Sequence, residues 1–102
     1  MLIEWTQAAE DDLVEALVWY IEQADKETGQ RIVTRLFAAA DRLERFPHSG
    51  RQGLLPETRE LVAPNLPYFL VYKVTDKVEV LRVMHTSRLW ASAEAGGADP
   101  AS

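Results

Sequence analysis

The spacing of apolar residues changes along this chain, and each change marks an element. Leu2, Ile3 and Trp5 cluster at the start and predict a short strand over 2–5. Ala9, Leu13, Ala16, Leu17, Tyr20 and Ala24 then recur at three- and four-residue intervals, the spacing of one helix face. Thr6 precedes this run, and Glu10, Asp11 and Asp12 stand near its start. A hydroxyl N-cap and first-turn acids both stabilise a helix start, so a helix over 7–24 is predicted. Residues 25–29 read as a polar break. Ile32, Leu36, Ala39, Ala40 and Leu43 give a second helix over about 29–45. It must stop near Phe46, because Pro47 disfavours helical backbone in the residue before it.

Beyond that point the helical spacing disappears. Residues 48–53 carry two glycines and read as a loop. Residues 58–63, 67–74 and 78–85 read as strands, with Thr75-Asp76-Lys77 as a short polar hairpin turn. The order of strand, two helices and three strands predicts an α+β fold. The helical hairpin packs on one face of a three-stranded antiparallel sheet and leaves the other face partly open for a partner or substrate. One domain over 1–92 and a disordered tail over 93–102 are expected, since the tail is small, polar and glycine-rich.

Composition narrows the classes. The chain has 102 residues, 47% apolar and 26% charged, and no cysteine. That excludes a disulfide framework, a thiolate metal site and a cysteine nucleophile. His48 and His85 are far apart in sequence, so no metal site is expected. No run approaches the length of a membrane span and no signal peptide is visible, so the expectation is a cytoplasmic protein with no membrane partner.

The net charge of −5 is unevenly spread. Residues 1–30 carry eight acids and one base, residues 31–59 six arginines and three acids, and residues 60–102 five acids and four bases. An acidic chain repels nucleic acid at long range, so direct sequence-specific nucleic-acid binding is not expected.

The second half runs Phe46-Pro47, Gly50-Arg51-Gln52-Gly53, Thr58-Arg59-Glu60-Leu61, Pro67-Tyr68-Phe69-Leu70-Val71-Tyr72, Val83-Met84-His85 and Arg88-Leu89-Trp90. With Ile3-Glu4-Trp5-Thr6, Ala8 and Asp12-Leu13 at the start, this resembles the RelE/ParE superfamily of type II toxin–antitoxin toxins, on its ParE branch. The resemblance covers about residues 2–90. It implies a small bacterial toxin neutralised by a cognate, ParD-like antitoxin. ParE-like members poison DNA gyrase, whereas RelE-like members cut messenger RNA on the ribosome. Both share one fold, so the site must separate them.

Cleavage through a 2′-hydroxyl needs a base, an acid and cations for the phosphate charge. RelE-like members carry an arginine at the strand position that here aligns with Phe69, and lysines in the loop before it. Residues 52–58 hold neither Lys nor Arg. If the chain were a nuclease, Arg82 and His85 would carry the chemistry, His85 as acid. The two differ in strand parity, so a regular strand points them to opposite faces unless it bulges or ends first. The expectation is a gyrase poison that works by binding alone and needs no cofactor.

Candidate contacts to target or antitoxin are Arg59, Tyr68, Tyr72, Arg82, His85, Arg88 and Trp90. Each also has a structural reading. Arg59 would pair with a carboxylate and hold the loop to the sheet; Tyr68 and Tyr72 would share one face as core; Trp90 would pack on the helices. Arg31, Arg35, Arg42 and Arg45 fall within about 40° of one direction on the second helix. They form a basic stripe, either a solvated face or a docking surface for an acidic partner. Asp11, Asp12, Glu15 and Glu22 form an acidic face on the first helix, with Trp19 near it. Gly50 and Gly53 are read as positions of positive φ.

Overall fold

A computed structural model describes residues 1–86. The expected tail over 93–102, and the candidates Arg88 and Trp90, lie outside them. The elements are β1 (Ile3–Trp5), α1 (Gln7–Gln23), α2 (Lys26–Asp41), a 3-10 turn (Arg42–Glu44), β2 (Arg51–Gln52), β3 (Arg59–Val62), β4 (Tyr68–Val74) and β5 (Val78–His85). The α+β class agrees with the sequence reading. The sheet itself is larger than expected: five strands in the order β1-β5-β4-β3-β2, mixed rather than wholly antiparallel. β1 runs parallel to β5, with Ile3 level with Val78 and Trp5 with Val80. β2 lies within the expected loop and pairs with β3 through Arg51–Glu60 and Gln52–Arg59.

Local chemistry explains the helix boundaries. Thr6 caps α1, its Oγ1 accepting from the Ala9 N–H at 3.2 Å. α2 begins at Lys26 rather than 29, because the Asp25 carboxylate accepts from the Thr28 N–H at 2.7 Å. That bond lowers the Asp25 pKa below its ordinary value. At the other end the helix stops at Asp41 and tightens into the 3-10 turn, so the predicted continuous helix to 45 is divided.

The core lies between the helical hairpin and one sheet face. Ala9, Leu13 and Ala16 of α1 and Leu36, Ala39 and Ala40 of α2 pack with Tyr68 and Leu70 of β4 and Val80 and Val83 of β5. Leu43, Tyr72 and Val78 form an adjoining cluster. Tyr72 is fully buried, and its hydroxyl accepts from the Gly50 N–H at 2.9 Å.

β5 carries one surplus residue. Val71 is level with Arg82, but Tyr72 is level with Val80, so Leu81 has no opposite number. The bulge shifts the strand's phase. Val78 and Val80 point inward before it and Val83 after it, which turns Arg82 away from the core. The first turns of α1 cover the strand edge beyond β1. The Thr6 hydroxyl donates to the Leu81 carbonyl at 2.9 Å, and the Val83 N–H donates to Asp12 Oδ2 at 2.8 Å.

Asp12→Ala removes the acceptor for the Val83 N–H and is expected to cost about 1.5–3 kcal/mol, the range for hydrogen bonds to charged groups; an unchanged urea midpoint would refute this. A second prediction concerns alkaline pH. Burial raises the Tyr72 phenol above its ordinary 10.0, with the Gly50 bond and Arg59 acting in the opposite sense. A raised folded-state pKa gives stability that is complete below the unfolded value and is lost as pH climbs through the folded one. Tyr72→Phe leaves the Gly50 N–H unpaired, at about 1–3 kcal/mol near neutrality. The gap between variant and wild-type midpoints should narrow above pH ~10.

Candidate functional site

The loop between the 3-10 turn and β3 is fastened by side chains from β3. Glu60 is buried, and Arg51 grips it through Nε at 3.0 Å and Nη2 at 2.9 Å. Its other oxygen accepts from the Leu54 N–H at 3.3 Å. Arg59 turns back and donates to the carbonyls of His48 and Gly50 at 3.2 and 2.9 Å. The loop is thus held to the sheet as the structural reading of Arg59 requires, but through carbonyls; the carboxylate of this region serves Arg51. The two glycines give space rather than positive φ. A Cβ at Gly50 would stand 2.6 Å from the Tyr72 hydroxyl, and one at Gly53 would collide with Thr58 Oγ1. Positive φ falls instead on Glu57 and Asn65.

Two clefts border these elements. An open cleft of about 640 Å³ lies over the ends of β2, β3 and β4, lined by His48, Gln52, Glu57, Thr58, Arg59, Lys73, Val74 and Thr75. A smaller one of about 260 Å³ lies between α1 and the far end of the sheet, lined by Glu15, Ala16, Trp19, Tyr20, Tyr68 and His85. Its rings touch in series. Trp19 meets Tyr20 edge-on at 4.9 Å, Tyr20 lies 6.4 Å from Tyr68, and Tyr68 meets His85 edge-on at 5.3 Å.

The candidate residues therefore do not form one constellation. Tyr68 and His85 share the smaller cleft, Arg59 lines the larger one, and Tyr72 is in the core. Arg82 and His85 both follow the bulge, so strand alternation sends them to opposite faces. Arg82 forks onto Asp12, Nε to Oδ2 at 2.7 Å and Nη2 to Oδ1 at 3.0 Å. That bond raises its pKa further, against a smaller opposing effect of burial. Phe69, fully buried, lies beneath the Arg51 guanidinium, 5.6 Å from the ring centroid.

Each cation of the sheet and its hairpin has an internal partner. Arg51 is held by Glu60, Arg59 by backbone carbonyls, Lys73 by Glu79, Lys77 by Glu4 and Arg82 by Asp12. The other arginines among the described residues, Arg31, Arg35, Arg42 and Arg45, are on the helical layer and exposed. Only the first two belong to α2 itself; Arg42 opens the 3-10 turn and Arg45 follows it. Chemically, the sheet offers ion-paired polar surface and apolar rings. No described helix is long and apolar enough to cross a membrane.

Asp12 and Glu60 are the two organising carboxylates that sequence reasoning missed. The sequence places Asp12 on the acidic face of the first helix and Glu60 within the strand predicted over 58–63, and neither placement reveals its partner.

Comparison with known proteins places these features in a family. Residues 3–90 match the model for the ParE toxin of the parDE type II toxin–antitoxin system. A protein of Sinorhizobium fredii named "Putative toxin Y4kP" is 41% identical over 88 residues, covering 86% of this chain and 91% of its own length. Toxin RelE2 of Caulobacter vibrioides is 36% identical over 88 residues, covering 85% of this chain and 97% of its own. A solved chain from the chromosomal ParDE system of P. aeruginosa superimposes with a TM-score of 0.78 at 22% identity, over 83% of this chain and 95% of that one, which establishes likeness of fold. The chain belongs to the ParE toxin family of type II toxin–antitoxin systems.

Proposed function

We propose that this toxin acts in the bacterial cytoplasm by binding DNA gyrase and halting replication, with no covalent chemistry of its own, and that a cognate ParD-like antitoxin neutralises it. The observation that carries this reading is the internal pairing of the sheet's cations. A ribonuclease must hold a phosphodiester with cations that are free to meet it, and the transition state adds further negative charge. Here Arg82 is already committed to Asp12, and His85 belongs to the opposite face. Recruiting Arg82 to a phosphate would leave Asp12 a charge without its partner at the strand edge.

The antitoxin is proposed to fold on binding, lying along the sheet and hairpin, burying apolar surface and engaging arginines. Contact residues proposed for antitoxin or gyrase are Arg59, Tyr68, Tyr72, Arg82, His85, Arg88 and Trp90. Of these, Tyr72 takes part through the surface it supports, since its own ring is buried.

Purified toxin should inhibit gyrase supercoiling of relaxed plasmid in proportion to the molar ratio of toxin to gyrase. The same preparation should leave ribosome-bound messenger RNA intact. Cleavage of messenger RNA that requires ribosomes and is lost in His85→Ala would overturn the proposal in favour of the RelE-like activity.

A further inference from the structure

α2 meets the β3–β4 turn along a cleft of about 250 Å³, lined by Arg35, Ala38, Ala39, Arg42, Pro64 and Asn65. Arg35 and Ala38 are exposed on α2, and Arg42 is exposed where the 3-10 turn begins. Counting about 100° per residue, Arg31, Arg35, Ala38 and Arg42 fall within about 60° of one another. They form one ridge with the alanine as its gap. Arg35 and Arg42 stand about 10 Å apart along the axis, and the gap between them opens onto the cleft. The opposite wall is stiff. The Leu66 N–H donates to the Ala63 carbonyl at 3.2 Å across Pro64 and Asn65, and Asn65 has φ 63°. Proline followed by a residue at positive φ is the signature of a type II turn.

Charge selects what can lie there. No ion pair among the described residues holds Arg35 or Arg42. Residues 63–66 on the facing wall include no acid. The acids of α2 are elsewhere: Glu27 is about 12 Å along the axis from Arg35, and Asp41 lies about 100–120° round the helix from Arg42 and Arg35. Arg31 and Arg35 are one turn apart, and like charges at that spacing destabilise a helix. The helix by itself gains nothing from this ridge. The floor of the cleft, Ala38 and Ala39 with the Pro64 ring, is apolar. The site therefore fits carboxylates carried on a chain that also bears a small apolar side chain. A nucleic acid has no use for such a floor, and the net charge of −5 opposes a polyanion more than a segment with a few carboxylates.

We infer, on the reading that an antitoxin neutralises this toxin, that the cleft seats an acidic segment of that antitoxin, with carboxylates on Arg35 and Arg42 and an apolar side chain on Ala38 between them. A segment lying along both the sheet and the helical hairpin crosses the junction of the two layers, and this cleft is at that junction. Arg51, Arg59 and Arg82 of the sheet are held by Glu60, by backbone carbonyls and by Asp12, so each would give up an existing bond to meet a new carboxylate. Arg35 and Arg42 give up no ion pair, and a guanidinium fork suits a carboxylate.

The test uses the full-length toxin and the purified antitoxin encoded beside it. Arg35→Glu/Arg42→Glu should raise the Kd for antitoxin about tenfold or more, with an unchanged far-UV circular dichroism spectrum. Lys26→Glu, a charge reversal on another side of α2, should leave that Kd within about twofold. Expressed alone, the double variant should arrest growth as the wild type does, and coexpressed antitoxin should no longer restore growth. A double variant bound and rescued as well as wild type would overturn the inference and leave neutralisation by the antitoxin standing. A wild-type toxin that the antitoxin neither binds nor rescues would overturn both. A labelled single-stranded oligonucleotide whose binding is lost in the double variant, with antitoxin binding intact, would reassign the ridge to nucleic acid.

Discussion

A single surplus residue in the last strand sets the arrangement around it. Leu81 breaks the alternation of β5, so Val83 turns into the core and Arg82 turns out. A bulge frees backbone groups that a regular ladder would satisfy. Here the start of α1 satisfies them: the Thr6 hydroxyl takes the Leu81 carbonyl, and Asp12 takes the Val83 N–H. The same carboxylate then forks with Arg82. Helix cap, strand edge and outward arginine are thus one hydrogen-bonded unit.

That unit bears on function. In this chain the sheet's basic groups pair with its own acids and carbonyls, and Phe69 is fully buried beneath Arg51. Affinity for a protein partner asks for a different surface: rings, apolar patches and charges at the rim. The cleft bounded by Trp19, Tyr20, Tyr68 and His85 has that character.

Much of the fold was legible in the sequence because its signals are local. The β5 boundaries follow from residues 78–85 alone, and Thr6 marks the start of α1. The bulge was legible in principle, since Val80 and Val83 cannot both face inward in an unbroken strand. β2 was not, because two exposed polar residues carry no alternation; only its partner β3 makes it a strand. The early start of α2 was missed although Asp25 and Thr28 have capping spacing. The candidate site was harder. Asp12 is about 70° from the core direction of α1, whereas Asp11 is about 170° away, and that difference alone separates a structural carboxylate from a solvated one. The spacing of Arg51 and Glu60 says nothing of their pairing, which depends on the register between β2 and β3.

The parallel pairing of β1 with β5 has a consequence for how the toxin is made. The hydrogen bond from Thr6 to Leu81 closes a span of 75 residues, and Ile3 waits for Val78 across a similar distance. During translation the helical hairpin leaves the ribosome with nothing to cover its apolar side, and contacts so distant in sequence are slow to form. β1 and the start of α1 therefore cannot be fixed until β5 has been made, and the fold closes only when nearly all of the described chain is available.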